Sequence, residues 1–182
     1  QSEWTEAIAA AFGALRVGDP FDESVDVGPL VSRRQYDRVS EYLSLATTEG
    51  GTFATGGGPP AGLQRGWFIE PTVITGLTNE ARVAREEIFG PVAVVLPYAD
   101  DEDAVRIAND SDYGLACSVF GPDLDRARAI VDRVRAGTCS INGFFLDIAK
   151  PFGGYKMSGI GREGGPEGLW EYTEMKSISV AP

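Results

Sequence analysis

Val92-Ala93-Val94-Val95-Leu96, then Asp100-Asp101-Glu102-Asp103-Ala104 with Ile107 and Ala108, then Leu115-Ala116-Cys117-Ser118-Val119-Phe120, is the stretch that decides the fold. An uninterrupted apolar run of this length reads as a buried strand. The acidic cluster after it reads as the first turn of a helix, where carboxylates meet the positive end of the helix dipole. Asp123 caps a further helix, with Leu124, Ala127, Val131 and Val134 at i, i+3, i+7 and i+10; Gly137 ends it, and residues 138–142 form a third apolar run. The order is β-α-β-α-β. Continuous apolar strands separated by helices predict an α/β fold with a parallel sheet covered on both faces. Ligands of such sheets gather at the strands' carboxyl ends, which singles out the loops opening at Pro97, Gly121 and Gly143, above all the aromatic, glycine-rich loop 143–154.

Upstream, Ala7, Ile8, Ala11, Phe12 and Leu15 form a helical stripe over residues 3–16, stopped by Gly18-Asp19-Pro20. Ser32-Arg33-Arg34-Gln35 has the spacing of a capping box, and Tyr36, Val39, Leu43 and Ala46 follow at helical intervals. The internal Pro71 makes residues 67–74 an edge strand or a bulge, peripheral to the sheet. Downstream, residues 172–180 read as a strand of mixed faces, which completes its own sheet or adds to a partner's edge.

Composition narrows the chemistry. The 182 residues carry a net charge of −11 and no cluster of basic residues, so neither nucleic acid nor an anionic membrane is a partner. With no histidine and only two cysteines, Cys117 and Cys139, the chain cannot build a zinc site or a histidine-dependent triad. Both cysteines fall in apolar strands with nothing to activate them, and read as inert core thiols. No secretory signal segment is present, which makes the cytoplasm the expected compartment. The chain opens Gln1-Ser2-Glu3-Trp4 without an initiator Met and reads as a piece of a longer protein.

Three motifs bear on function. Gly159-Ile160-Gly161-Arg162-Glu163-Gly164 matches a dinucleotide fingerprint in letters only, since no buried strand precedes it and no acidic residue follows at the required distance; it reads as a turn. Glu86-Glu87-Ile88-Phe89-Gly90-Pro91 sets two carboxylates beside an aromatic and a forced turn. A carboxylate is acceptor-only and suits the two hydroxyls of a ribose, but the residues alone favour a solvated surface pair. Phe144, Phe145 and Leu146, with Phe152, either line an apolar mouth or pack beneath their own loop.

Taken together these runs resemble the C-terminal part of the NAD(P)-dependent aldehyde dehydrogenase superfamily. The resemblance rests on Val17-Gly18-Asp19-Pro20, Gly28-Pro29-Leu30, Phe68-Ile69-Glu70-Pro71-Thr72-Val73, Glu86-Glu87-Ile88-Phe89-Gly90-Pro91-Val92, Ala108-Asn109, Tyr113-Gly114-Leu115, Gly137-Thr138, Ile141-Asn142 and Pro151-Phe152-Gly153-Gly154-Tyr155-Lys156-Met157-Ser158-Gly159-Ile160-Gly161-Arg162-Glu163. It implies that Glu87 holds the nicotinamide ribose, with Phe89 packing beside it. It further implies that loop 143–152 forms the aldehyde entrance, with Phe145, Leu146 and Phe152 on the substrate wall, and that Arg162 and Glu163 lie near the catalytic and subunit interface. Residues 1–170 would be a partial catalytic domain built on the β-α-β-α-β core, and 171–182 a C-terminal oligomerisation strand exchanged between subunits of a homo-oligomer. An Arg162–Glu174 pair is expected to brace that strand.

The family's nucleophilic cysteine, general-base glutamate and dinucleotide-binding domain lie upstream of the matched segment. NAD or NADP and the aldehyde would therefore be bound by the full-length protein, with neither bound nor turned over by this chain alone. A stand-alone binding or oligomerisation module that keeps the fold without the chemistry is the alternative.

Overall fold

The computed structural model describes residues 2–63, 65–145 and 147–181, which divide into two compact units, Gln1–Pro97 and Tyr98–Pro182. The first unit opens with α1 (Ser2–Gly13) and α2 (Arg33–Thr48). At the start of α2 the Ser32 hydroxyl accepts from the Gln35 amide at 3.2 Å. The cap is therefore as the spacing predicts, but the Gln35 side chain does not close the capping box and turns elsewhere. Strands β1 (Thr52–Thr55) and β2 (Thr72–Thr75), a single helical turn α3 (Arg82–Arg85) and β3 (Val92–Val94) complete the unit.

The sheet order is β1-β2-β3, with β1 antiparallel and β3 parallel to β2. This corrects the expected edge position of residues 67–74: β2 is the central strand, and its Thr72, Val73 and Ile74 are fully buried. Pro71 precedes the first ladder residue, so its missing N–H costs the sheet nothing. Val39, Tyr42, Leu43 and Ala46 of α2 pack with Ile69, Ile74, Leu77, Val83 and Ile88 as one core.

In the second unit, Asp100 caps α4 (Asp101–Asn109), accepting from the Asp103 amide at 2.9 Å. Asp123 caps α5 (Leu124–Val131) in the same way, accepting from the Arg126 amide at 2.9 Å. Between them lie β4 (Tyr113–Gly114) and β5 (Ala116–Val119); after α5 come β6 (Thr138–Ile141), β7 (Tyr155–Lys156) and a 3-10 helix over Glu167–Tyr172. Strands β5 and β6 are parallel and β4 pairs antiparallel with β7.

The β5-α5-β6 unit is the one anticipated from residues 115–142. The three-stranded parallel core is not: β3 joins β1 and β2, while β5 and β6 form a sheet of their own. An apolar run says that a strand is buried, not which neighbour its amides find. The molecule is thus a mixed α/β chain with small sheets. Residues 173–181 form neither helix nor strand, so the terminal segment completes no sheet within this chain.

Candidate functional site

Segment 86–91 is held against α2 from one side. Gln35 donates from its amide nitrogen to the carbonyls of Ile88 (3.0 Å) and Phe89 (2.7 Å), and Arg38 donates to the Glu87 carbonyl at 2.8 Å. The Tyr42 hydroxyl donates to the Glu86 carboxylate, which also pairs with Arg82 at 2.7 Å. These bonds hold the Glu86 carboxyl below the ordinary carboxylate range, with the Arg82 bond the larger cause and the Tyr42 bond next. Gly90 sits where a Cβ would come within 2.7 Å of the Val39 side chain, so only glycine lets the segment approach the helix this closely.

This packing leaves Glu87 and Phe89 outside. Phe89 is 68% exposed and adopts φ 58°, a left-handed conformation costly for an aromatic residue. Such strain, of the order of 1–3 kcal/mol, persists where surrounding bonds impose it, and the two bonds from Gln35 do so. The Glu87 side chain is exposed and has no partner among the described residues, leaving both its oxygens open. The expectation of a solvated carboxylate pair is therefore corrected for Glu86, which is a structural anchor, and kept for Glu87. Composition and spacing missed Gln35, Arg38 and Tyr42, because their partners lie 44 to 54 residues away.

In the second unit, Phe145 and Phe152 line one cavity of about 380 Å3 together with Cys139, Asp147 and Lys150. Leu146 lies outside the described residues. The floor depends on Gly137: a Cβ there would stand 1.8 Å from the Gly153 carbonyl oxygen, so no other residue lets segment 151–154 cross the start of β6. Phe152 and Glu163 exchange two backbone hydrogen bonds of 2.7 Å, which close the loop.

The lysine and serine of the glycine-rich run are structural. Lys156 Nζ donates to the carbonyls of Asn109 (2.9 Å) and Ser111 (2.8 Å), while Ser158 Oγ accepts from the Gly114 amide at 3.0 Å. The Arg162 guanidinium donates to the carbonyls of Gly154, Ile160 and Gly161 and lies over the Tyr155 ring, and no ion pair joins it to Glu174. The expected brace is thereby overturned among the described residues: carbonyls bordering its own turn hold the guanidinium through Nη1, over the Tyr155 ring. Gly159 and Gly164 occupy left-handed turn positions, with no buried strand leading into them.

The candidate features are thus an exposed carboxylate beside an aromatic on a strained turn and, separately, an aromatic-lined cavity behind a long loop. The model of the aldehyde dehydrogenase family matches residues 1–178. The chain belongs to the aldehyde dehydrogenase family. It is 47% identical, over 99% of its length, to a betaine aldehyde dehydrogenase of Brucella melitensis biotype 2, and 43% identical to one of Brucella anthropi. It spans about 38% of the length of these curated relatives.

Among solved structures it resembles a Mycobacterium tuberculosis aldehyde dehydrogenase complexed with NAD+, with a TM-score of 0.94 and 46% identity over 99% of this chain and 37% of that one. A Staphylococcus aureus betaine aldehyde dehydrogenase in complex with NAD+ gives a TM-score of 0.91 at 39% identity, covering 94% of this chain and 35% of the other. Among the described residues no helix is long and apolar enough to cross a membrane, and no group of three or more metal-ligating side chains forms.

Proposed function

We propose that this chain is the C-terminal part of an NAD(P)-dependent aldehyde dehydrogenase that oxidises an aldehyde to a carboxylic acid in the cytoplasm. Residues 1–170 belong to its catalytic domain, and 171–182 to a segment that pairs with another subunit. The observation that carries this reading is the segment pinned to α2, which turns Glu87 and Phe89 outward. An open carboxylate accepts two hydrogen bonds from the vicinal hydroxyls of a ribose, and an adjacent aromatic face gives a nicotinamide-bearing group something flat to lie against. The residues therefore fit NAD or NADP, which when bound accepts the hydride released from the aldehyde carbon.

Glu87 orients the nicotinamide ribose and Phe89 packs beside it, while Gln35 and Arg38 keep the backbone between them in place. Phe145 and Phe152 shape the aldehyde entrance, with Leu146 as a further wall residue. A betaine-like aldehyde is the substrate class in the names of the two Brucella relatives. The nucleophile, general base and dinucleotide fold belong to the rest of the enzyme, so this chain alone neither binds NAD nor reduces it.

The test is a chimera in which this chain replaces the matching C-terminal part of the Brucella melitensis enzyme. Aldehyde-dependent NADH formation is expected, with Glu87→Gln raising KM for NAD and lowering kcat by about tenfold, as for loss of one charge-assisted bond in the reacting complex. A folded chimera without activity, or a Glu87→Gln variant with unchanged constants, overturns the reading.

A further inference from the structure

Cys117 in β5 and Cys139 in β6 are direct register partners in the parallel ladder. They thus stand at the same level of neighbouring strands with side chains on one face of the pair. Both thiols are free and half-buried, and Cys139 also lines the cavity shared by Phe145 and Phe152. We propose that Cys117 and Cys139 form a two-sulfur chelating site for a soft, thiophilic centre such as trivalent arsenic or monovalent copper, a role independent of the aldehyde dehydrogenase reading.

Strand spacing puts the two sulfurs within reach of one centre. Adjacent strands run about 4.8 Å apart, a separation that a disulfide's Cα atoms also tolerate, so an oxidant could link the pair while a thiophilic centre bridges its reduced form. A bridging centre with bonds to sulfur of about 2.3 Å spans sulfurs up to ~4.6 Å apart and leaves the strands where they are. Zinc, which takes four ligands in a structural site, finds only these two sulfurs, since no group of three ligating side chains exists among the described residues.

Ionisation points the same way. Burial, and then the neighbouring Cys139, pushes the Cys117 thiol up to about 11, and burial raises Cys139 as well. Few thiolates are present near neutral pH, so one-point alkylation is slow. A centre that gains two bonds at once recovers that cost. An aryl arsenoxide, ArAs=O, does so without an oxidant: two As–S bonds form, two S–H bonds break, and the oxygen leaves with both protons as water. Arsenic stays trivalent throughout.

The probe is phenylarsine oxide, added to the purified chain, whose only cysteines are these two. One arsenic per chain is expected by intact mass, with both cysteines protected from maleimide in the peptide map. Excess dithiol reverses the adduct and excess monothiol or zinc does not. Cys117→Ser and Cys139→Ser each weaken the adduct by roughly a hundredfold or more, the advantage that a second, tethered contact supplies. Two arsenics per chain, an adduct that a monothiol removes, or a single-serine variant of unchanged affinity overturns the proposal. If a serine variant fails to fold, the stoichiometry and peptide map of the unsubstituted chain decide by themselves.

Discussion

The two units bury their apolar residues to very different degrees. In residues 2–97, α2, β2 and the flanking turns close a continuous core in which Val39, Ala46 and Ile74 have no exposed surface. In residues 98–181, Val105, Ala127 and Ala136 are the buried apolar residues among those described, while Phe120, Leu124, Phe144, Phe145, Leu169, Trp170 and Tyr172 each expose more than half of their surface. Apolar burial holds the first unit together.

The second unit leans on polar devices and close backbone crossings. The Asn109 side chain donates to the Arg133 carbonyl at 2.9 Å and accepts from the Arg135 amide at 2.7 Å. The Asn142 amide brackets Gly121 with bonds of 2.8 and 2.9 Å, and Lys156 and Gly137 hold the glycine-rich run. Exposed apolar area on this scale in one part of a protein marks a surface made to be covered, in keeping with the proposal that the chain works inside a larger, oligomeric enzyme.

Substitutions that swap these two modes of support should break the contrast most. Ile74→Ala removes a fully buried side chain from the centre of the first core, and denaturant melts should show a loss of about 2–5 kcal/mol. Leu124→Ala, at a position 61% exposed, should stay within about 0.5 kcal/mol; equal losses at both sites would erase the distinction. A middle-sized effect is expected where the second unit depends on close approach. Gly137→Ala forces a Cβ against the Gly153 carbonyl and should cost about 1–3 kcal/mol, with limited proteolysis accelerating within residues 143–154.

A smaller loss than that at Gly137 sharpens the account of the first unit's exposed turn. Tyr42→Phe should cost about 1 kcal/mol at neutral pH through its lost hydrogen bond to Glu86. Because the folded state lowers the pKa of Glu86, the stabilisation from its ionised form is present above the unfolded carboxylate pKa and is lost as pH falls through the lowered folded value. The gap between Tyr42→Phe and the unsubstituted chain should therefore narrow on acidification, as read by melts across pH 7 to the acid range. A gap that holds constant would separate Tyr42 from Glu86.

Legibility followed the range of the forces involved. Ser32, Asp100 and Asp123 announced three helix starts because a cap acts on an amide three residues away, and each cap forms. The crossover from β5 through α5 to β6 was equally visible in residues 115–142. What stayed hidden was set by partners distant in sequence. Pro71 looked like the mark of an edge, yet it lies just before a ladder that begins at Thr72. Gln35 looked like a cap residue, yet its amide spends its donors on Ile88 and Phe89. Arg162 looked free to reach Glu174, yet nearby carbonyls claim it.

Residue order alone determined the family, the helix starts, the parallel β5-α5-β6 unit and the presence of Glu87 and Phe89 beside a forced turn. Those depend on neighbours a few positions apart, or on motifs carried whole in the chain. Tertiary structure alone decided that β2 is central, that β3 pairs with it rather than with β5, that Phe89 is held in a left-handed conformation, and that Cys117 stands opposite Cys139. Each of these is a choice among partners far away in sequence, settled by which backbone amides and apolar faces can be satisfied together.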